Sequence, residues 1–225
     1  MGYVFVSPNW FFNYSIILEV IFAVITLVVS YYAFKVFKLT DKKQAKLFST
    51  AFVFICLSYV IQAMLNIIIL WKIADRVVSM INLRDAALLN LFGLYAHALF
   101  FIIGIIILAY VNFKVDNIKI VWLIVALVVT SIFFTPNKLI LFYMLSSILL
   151  MFIVVNYFLN YVRHKTPNTM LVLVAMIFLL FGALHYLFAL DHEIYYVIGH
   201  ILEFFAYSMI LINLYLILNH GKKKR

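Results

Sequence analysis

Apolar residues run almost unbroken for about twenty positions at a time along this chain, the length that crosses a roughly 30 Å hydrocarbon core as a helix. The polar residues gather in short breaks between the runs. The pattern predicts seven helices, over residues 14–37, 47–71, 87–112, 118–134, 138–161, 168–190 and 194–219. Pro8, Pro136 and Pro167 all fall in the breaks, where helices end. The breaks are short, so successive helices pack antiparallel. A β-barrel is excluded, because its strands alternate apolar and polar over about ten residues. The fold class is therefore all-α: a polytopic membrane protein with seven transmembrane helices in a single domain over residues 1–225.

Composition agrees: 68% of the 225 residues are hydrophobic and 11% are charged. The net charge of +9 does not point to nucleic acid, because the basic residues sit in clusters beside apolar runs, where they set topology. Lys35, Lys38, Lys42, Lys43, Lys46, Lys114, Lys119, Arg163, Lys165 and the tail Lys222–Arg225 share one side. Only Lys72, Arg76, Arg84 and Lys138 fall on the other. The positive-inside rule then predicts a multi-pass protein of the cell membrane with its N-terminus outside and its C-terminus cytoplasmic. The basic tail reads as a topology anchor that also touches anionic headgroups of the bilayer. No basic n-region or cleavage site marks a signal peptide, and Val6 breaks a myristoylation motif at Gly2. A single cysteine, Cys56, leaves no internal disulfide and no CxxC chemistry.

"YAHALFFIIGIIILAYV" (95–111) aligns without gaps on "IGHILEFFAYSMILINL" (198–214), placing His97 on His200. "YYAFKVFK" (31–38) is similar to "NYFLNYVR" (156–163), and Gln62 falls near His185. These echoes predict parallel repeats over 14–112 and 138–219, joined by a linker helix over 118–134 in a 3+1+3 plan. Helices rich in Phe, Ile and Leu also look alike without any repeat.

Ionisable groups inside a membrane face protein or a cavity, since each costs roughly 2.5–3.5 kcal/mol at a helix centre by insertion scales. Counted at about 1.5 Å per residue from the outer helix ends, Glu19, Asn66, His185 and His200 lie about 8–9 Å deep, and Gln62, His97 and Glu203 about 14–15 Å. All seven lie in the outer half. Residues three or four apart share a helix face, which aligns Tyr196, His200, Glu203 and Tyr207 on the last helix. The same spacing aligns Ser15, Glu19 and Ala23; Ser58, Gln62 and Asn66; Asn90, Gly93, His97 and Gly104; and Gly182, His185 and Ala189. An outward-facing polar pocket of Glu19, Gln62, Asn66, His97, His185, His200, Glu203 and Tyr207 is expected. Polar residues also hold membrane helices together without binding anything. The 23 Phe and 15 Tyr are expected mostly against lipid, in the core, or in the interfacial belt.

Two stretches, "YYAFKVFKLTDKKQAKLFSTAFVF" (31–54) and "GHILEFFAY" (199–207), resemble the membrane-embedded sensory domains of prokaryotic receptors. The resemblance covers about a seventh of the chain. It implies ligand or proton sensing without covalent chemistry, histidine being the side chain that titrates near neutral pH. No output domain follows Arg225, so a cytoplasmic or membrane signalling partner is implied. Metal or haem binding is the alternative, with His97, His185, His200 and Glu203 as candidate ligands for zinc or iron. The chain lacks HExxH, the Glu-x-x-His of di-iron bundles, and the His-x-x-x-His pair of seven-helix zinc hydrolases. A small-solute transporter is the second alternative, against which stands the lack of any proline within a helix. The last helix has no lysine before Lys222 for a retinal Schiff base. No phosphate loop, GxSxG or GxxxG occurs. The segment "KIADRVVSMINLRDA" (72–86) reads as an interfacial lid or as an outward extension of its flanking helices.

Overall fold

The computed structural model describes Pro8 and residues 10–74, 83–113, 118–189 and 191–223. These form α1 (Phe12–Thr40), α2 (Lys43–Ala74), α3 (Leu83–Phe113), α4 (Ile118–Phe134), α5 (Lys138–His164), α6 (Pro167–Phe188) and α7 (Ile194–Lys223). The described chain outside helices contains no strand. All seven expected helices are present, with α1, α2 and α3 starting earlier or ending later than the apolar runs. Polar residues at the membrane edge continue a helix once the apolar part has nucleated it. The lid expected over 72–86 falls largely on residues 75–82, which lie outside the described residues.

The helix ends follow local chemistry. Asp41 closes α1 at a φ of 53° and donates its N–H to the Phe37 carbonyl at 2.7 Å. Lys165 closes α5 in the same left-handed form, at a φ of 45°. Thr166 caps α6 by accepting from the Thr169 N–H, with Pro167 at the first helical position, where the missing donor costs nothing.

Six helices are long and apolar enough to cross a membrane. The seventh, α4, has 17 residues. At about 1.5 Å per residue it spans roughly 25 Å, short of a typical hydrocarbon core. Among the described residues it packs only on α3 and α5. It exposes Trp122, Leu123, Leu127 and Phe134, in keeping with a lipid-facing linker.

The other six close a ring in the order α1, α2, α3, α5, α6, α7 and back to α1. Within it, α3 and α5 run parallel. His97, midway along α3, meets Phe142 near the start of α5, and Asn112 at the end of α3 meets Tyr157 further along α5. The α7–α1 contact is parallel too, since Tyr196 meets Phe11 and, further along both helices, Tyr207 meets Phe22. The remaining contacts are antiparallel neighbours in sequence.

Small residues set the helix spacing, as they do where lipid offers no hydrophobic drive between helices. Ser30 and Ser49 each donate to the other's backbone carbonyl, at 3.0 and 2.9 Å, tying α1 to α2. Cys56 is buried and donates to the Ala23 carbonyl at 3.3 Å, so it works here as a small interfacial residue. Gly104 brings α3 against α2, and Gly182 and Gly199 bring α6 against α7.

A Cβ on Gly104 would stand 2.6 Å from Ile55 Cγ1 and 2.9 Å from the Ala51 carbonyl oxygen. Backbone cannot swing aside as a side chain does. Gly104→Ala is expected to cost about 1–3 kcal/mol, read as a lower unfolding midpoint of the detergent-purified protein. Gly182→Ala, whose nearest neighbour would be 3.3 Å away, is expected to cost less.

Candidate functional site

The ring of helices encloses a cavity lined from every one of its six members and by no residue of α4. Glu19 comes from α1, Tyr59 and Gln62 from α2, His97 from α3, Ser146 from α5, Tyr186 from α6, and His200 and Glu203 from α7. Its room for the centre of a water-sized sphere is about 60 Å³. Tyr196 is the third residue of α7 and Tyr186 lies two residues before the end of α6. The cavity therefore occupies the end of the bundle where α1, α3, α5 and α7 begin, away from the lysine-rich α1–α2 turn.

Both carboxyls are buried and hydrogen-bonded. Asn66 donates its Nδ2 to both oxygens of Glu19, at 2.9 Å each. Tyr186 donates its hydroxyl to Glu203 Oε2 at 2.8 Å. No lysine or arginine among the described residues lines the cavity. A buried charge is tolerated when it is paired and hydrogen-bonded; here the hydrogen bonds are present and a cationic side chain is not.

The histidine tautomers follow from their partners. His200 Nδ1 lies 3.0 Å from the Tyr196 carbonyl and 3.0 Å from the Tyr186 hydroxyl. The carbonyl can only accept, and the single Tyr186 proton goes to Glu203, so Nδ1 carries the proton. His97 Nδ1 stands 3.2 Å from the Ser58 carbonyl and 2.8 Å from the Ser58 hydroxyl, which assigns the same tautomer. Neither Nε2 has a hydrogen-bond partner among the described residues.

A closed belt of aromatic rings surrounds the cavity. Phe22 on α1 meets Tyr59 on α2 at 5.2 Å between centroids, and Tyr59 meets His97 on α3 at 5.8 Å. His97 meets Phe142 on α5 at 5.9 Å, and Phe142 adjoins Tyr143 at 4.9 Å. Tyr143 meets Tyr186 on α6 at 5.2 Å, and Tyr186 meets His200 on α7 at 5.3 Å. His200 returns to Phe22 at 6.0 Å. These separations fall within the range of favourable ring contacts, about 4.5–7 Å. Beneath the belt, the buried Tyr207 and Tyr59 hydroxyls bond at 2.9 Å.

Of the expected site residues, Glu19, Gln62, His97, His200 and Glu203 line the cavity. Asn66 and Tyr207 stand one hydrogen bond behind it, through Glu19 and Tyr59. His185 is not among the lining residues; its Nδ1 bonds the Phe181 carbonyl at 2.7 Å and its ring lies against Tyr195. The residue of α6 that faces inward is its neighbour Tyr186, four positions from Gly182. Tyr196, aligned with His200 on the face of the last helix, does line the cavity. Sequence reasoning missed Tyr59, Tyr143 and Tyr186 as wall residues, having assigned most tyrosines to lipid, core or interface. It also missed Ser146, although Phe142, Ser146 and Leu150 recur at helical spacing on α5 and all line the cavity. Among the described residues, no three His, Cys, Asp or Glu side chains stand together as a metal-ligand set.

Tyr186 holds Glu203 and His200 at once. Tyr186→Phe keeps the ring and removes both bonds. It is expected to cost about 1–3 kcal/mol, seen as a lower unfolding midpoint. Tyr143→Phe is the control, since it lines the same wall and changes the midpoint less.

No family model, curated protein or solved structure matches the chain. The likeness to receptor sensory domains therefore rests on residues 31–54 and 199–207 alone, and what this helical, membrane-type chain does has to be argued from its own cavity.

Proposed function

We propose that this protein is a seven-span membrane protein of the cell membrane that binds a small ligand in the chamber within its helical ring, and that it does so as a sensor without covalent chemistry. The observation that carries the reading is the buried, unpartnered Ser146 hydroxyl. Ser146 lines the chamber at 1% exposure, and its Oγ has no hydrogen-bond partner. A buried polar atom without a partner beside a lined cavity calls for one from outside the fold, an ordered water or a guest. The convergence of Glu19, His97, His200 and Glu203 on the same space supports it, because helix cohesion alone does not need polar groups from every helix at one level. A partner in the membrane or cytoplasm would carry the signal onward.

The seventh span is supported by direction. With α3 and α5 parallel, the chain has to return the full height of the bundle between Phe113 and Lys138, and α4 is the segment that does so. The basic turns then favour an outer chamber and a cytoplasmic tail. The 3+1+3 repeat is supported by the ring: each contact within α1, α2 and α3 has a counterpart within α5, α6 and α7, and the α3–α5 seam has its counterpart in α7–α1. The aromatic belt follows the same order, with Phe22, Tyr59 and His97 matched by Phe142 or Tyr143, Tyr186 and His200. In this register Tyr59 answers to Tyr186, rather than Gln62 to His185.

A metal reading draws on one observation. His97 and His200 each give Nδ1–H to a backbone carbonyl and leave Nε2 unpartnered, the posture of metal-bound histidines. The chamber is far smaller than a haem, which leaves a single ion as the form this alternative would take.

Glu203→Gln and His200→Ala are each expected to abolish saturable ligand stabilisation of the purified protein while leaving it monodisperse. If both variants respond as the unaltered chain does, the chamber is not the binding site. Elemental analysis is expected to find no stoichiometric iron or zinc; a stoichiometric metal would make His97 and His200 its ligands. A reporter fused after Arg225 is expected on the cytoplasmic side, and an external signal overturns the topology.

A further inference from the structure

We infer that the ligand is a small organic monocation of the ammonium type, held between Glu19 and Glu203 on one wall of the chamber and Ser146 on the other. The inference rests on the chamber reading above and adds the chemical class of its occupant. Three features lead to it. Two carboxyls line a chamber that no lysine or arginine among the described residues lines, so a cationic guest would supply the complementary charge that the fold does not. Every helix of the ring except α1 puts an aromatic or imidazole ring on the wall, and aromatic rings attract cations within about 6 Å of their centroids. The unpartnered Ser146 hydroxyl lies on α5, diametrically opposite α1 in the ring order, where it can accept from an N–H⁺ whose charge faces the carboxylates.

Size narrows the class. A chamber of about 60 Å³ suits a small ammonium ion such as methylammonium or tetramethylammonium and excludes long-chain amines. An anion would face two carboxyls. An inorganic cation would need a shell of oxygen ligands, of the order of six for the hard divalent ions. The aromatic wall supplies few, whereas an alkylammonium is matched by rings around its methyl groups and oxygens at its charge. A guest this small binds no tighter than about micromolar, so the titration has to reach millimolar concentrations.

The test uses the full chain in detergent or nanodiscs. The unfolding midpoint is followed against methylammonium and tetramethylammonium chlorides, with sodium chloride at equal ionic strength, acetamide as the neutral solute and sodium acetate as the anion. Saturable stabilisation is expected from the ammonium salts alone, weakened at least tenfold by Glu19→Gln and by Glu203→Gln. Ser146→Ala, a mild change expected to fold normally, should weaken methylammonium about tenfold and leave tetramethylammonium, which has no N–H, unchanged. Saturation by sodium chloride itself, or equal weakening of both ammonium ions by Ser146→Ala, overturns the proposal. Saturation by acetamide or acetate that depends on Ser146 and Glu203, with no response to ammonium, overturns the cationic class and leaves the chamber reading standing. No saturable response to any of the five solutes overturns the ammonium assignment, and a broader solute set then decides whether the chamber reading falls with it.

Discussion

Two carboxyl side chains lie inside a bundle built almost wholly of apolar residues, with no lysine or arginine among the described residues lining their cavity, and much of the site's architecture answers to that constraint. In a low-dielectric interior a polar group has to find its partners within the fold. Asn66 is spent on both oxygens of Glu19, and Tyr186 on Glu203. Tyr186 in turn collects the proton of His200 Nδ1, and that imidazole is anchored to its own helix at the Tyr196 carbonyl. The polar groups thus form short chains that begin at backbone and end at the cavity.

Those chains depend on how closely the helices approach. A Cβ on Gly199 would stand 2.6 Å from the Tyr186 ring, so the bare backbone of α7 is what lets that ring lie flat enough to reach Glu203. Gly93 and Gly104 set the α2–α3 approach that brings Ser58 to His97. The chain has few glycines, and four of its six sit at these two helix pairs. The wall of the chamber is accordingly set by backbone spacing before it is set by polar chemistry.

Much of this was legible in the sequence. Apolar run length located every helix, because in a membrane the backbone has to satisfy itself locally and a helix is the way one segment does so. Depth and helical spacing together singled out Glu19, Gln62, His97, His200 and Glu203, since ionisable groups stand out against such a background. The tyrosines did not stand out: among 15 of them, a ring at the lipid interface and a ring on the chamber wall read the same without knowledge of which face points inward. On α6 the inward face differs by one residue from the expected one, because both His185 and Tyr186 lie near Gly182 in helical projection and only packing against α7 chooses between them. Ser146 was hidden for a simpler reason, as a serine in a membrane helix can satisfy itself on its own backbone, as Ser147 does on Tyr143. The limited length of α4 was present in the residue count, and its peripheral place accords with a stretch over 121–134 that carries no charged residue.

The ring has two parallel contacts, α3 with α5 and α7 with α1, and along these, together with the Tyr59–Tyr207 bond inside the ring, its first three helices meet its last three. Glu19 belongs to the first group and Glu203 to the second, and they stand on either side of the α7–α1 line. Anything that bridges the two carboxyls therefore stitches one half of the molecule to the other, and its departure removes that tie across the joint. Occupancy of the chamber would then be written into the angle between the two halves, where a neighbouring protein at the far end of the helices could read it without ever meeting the guest.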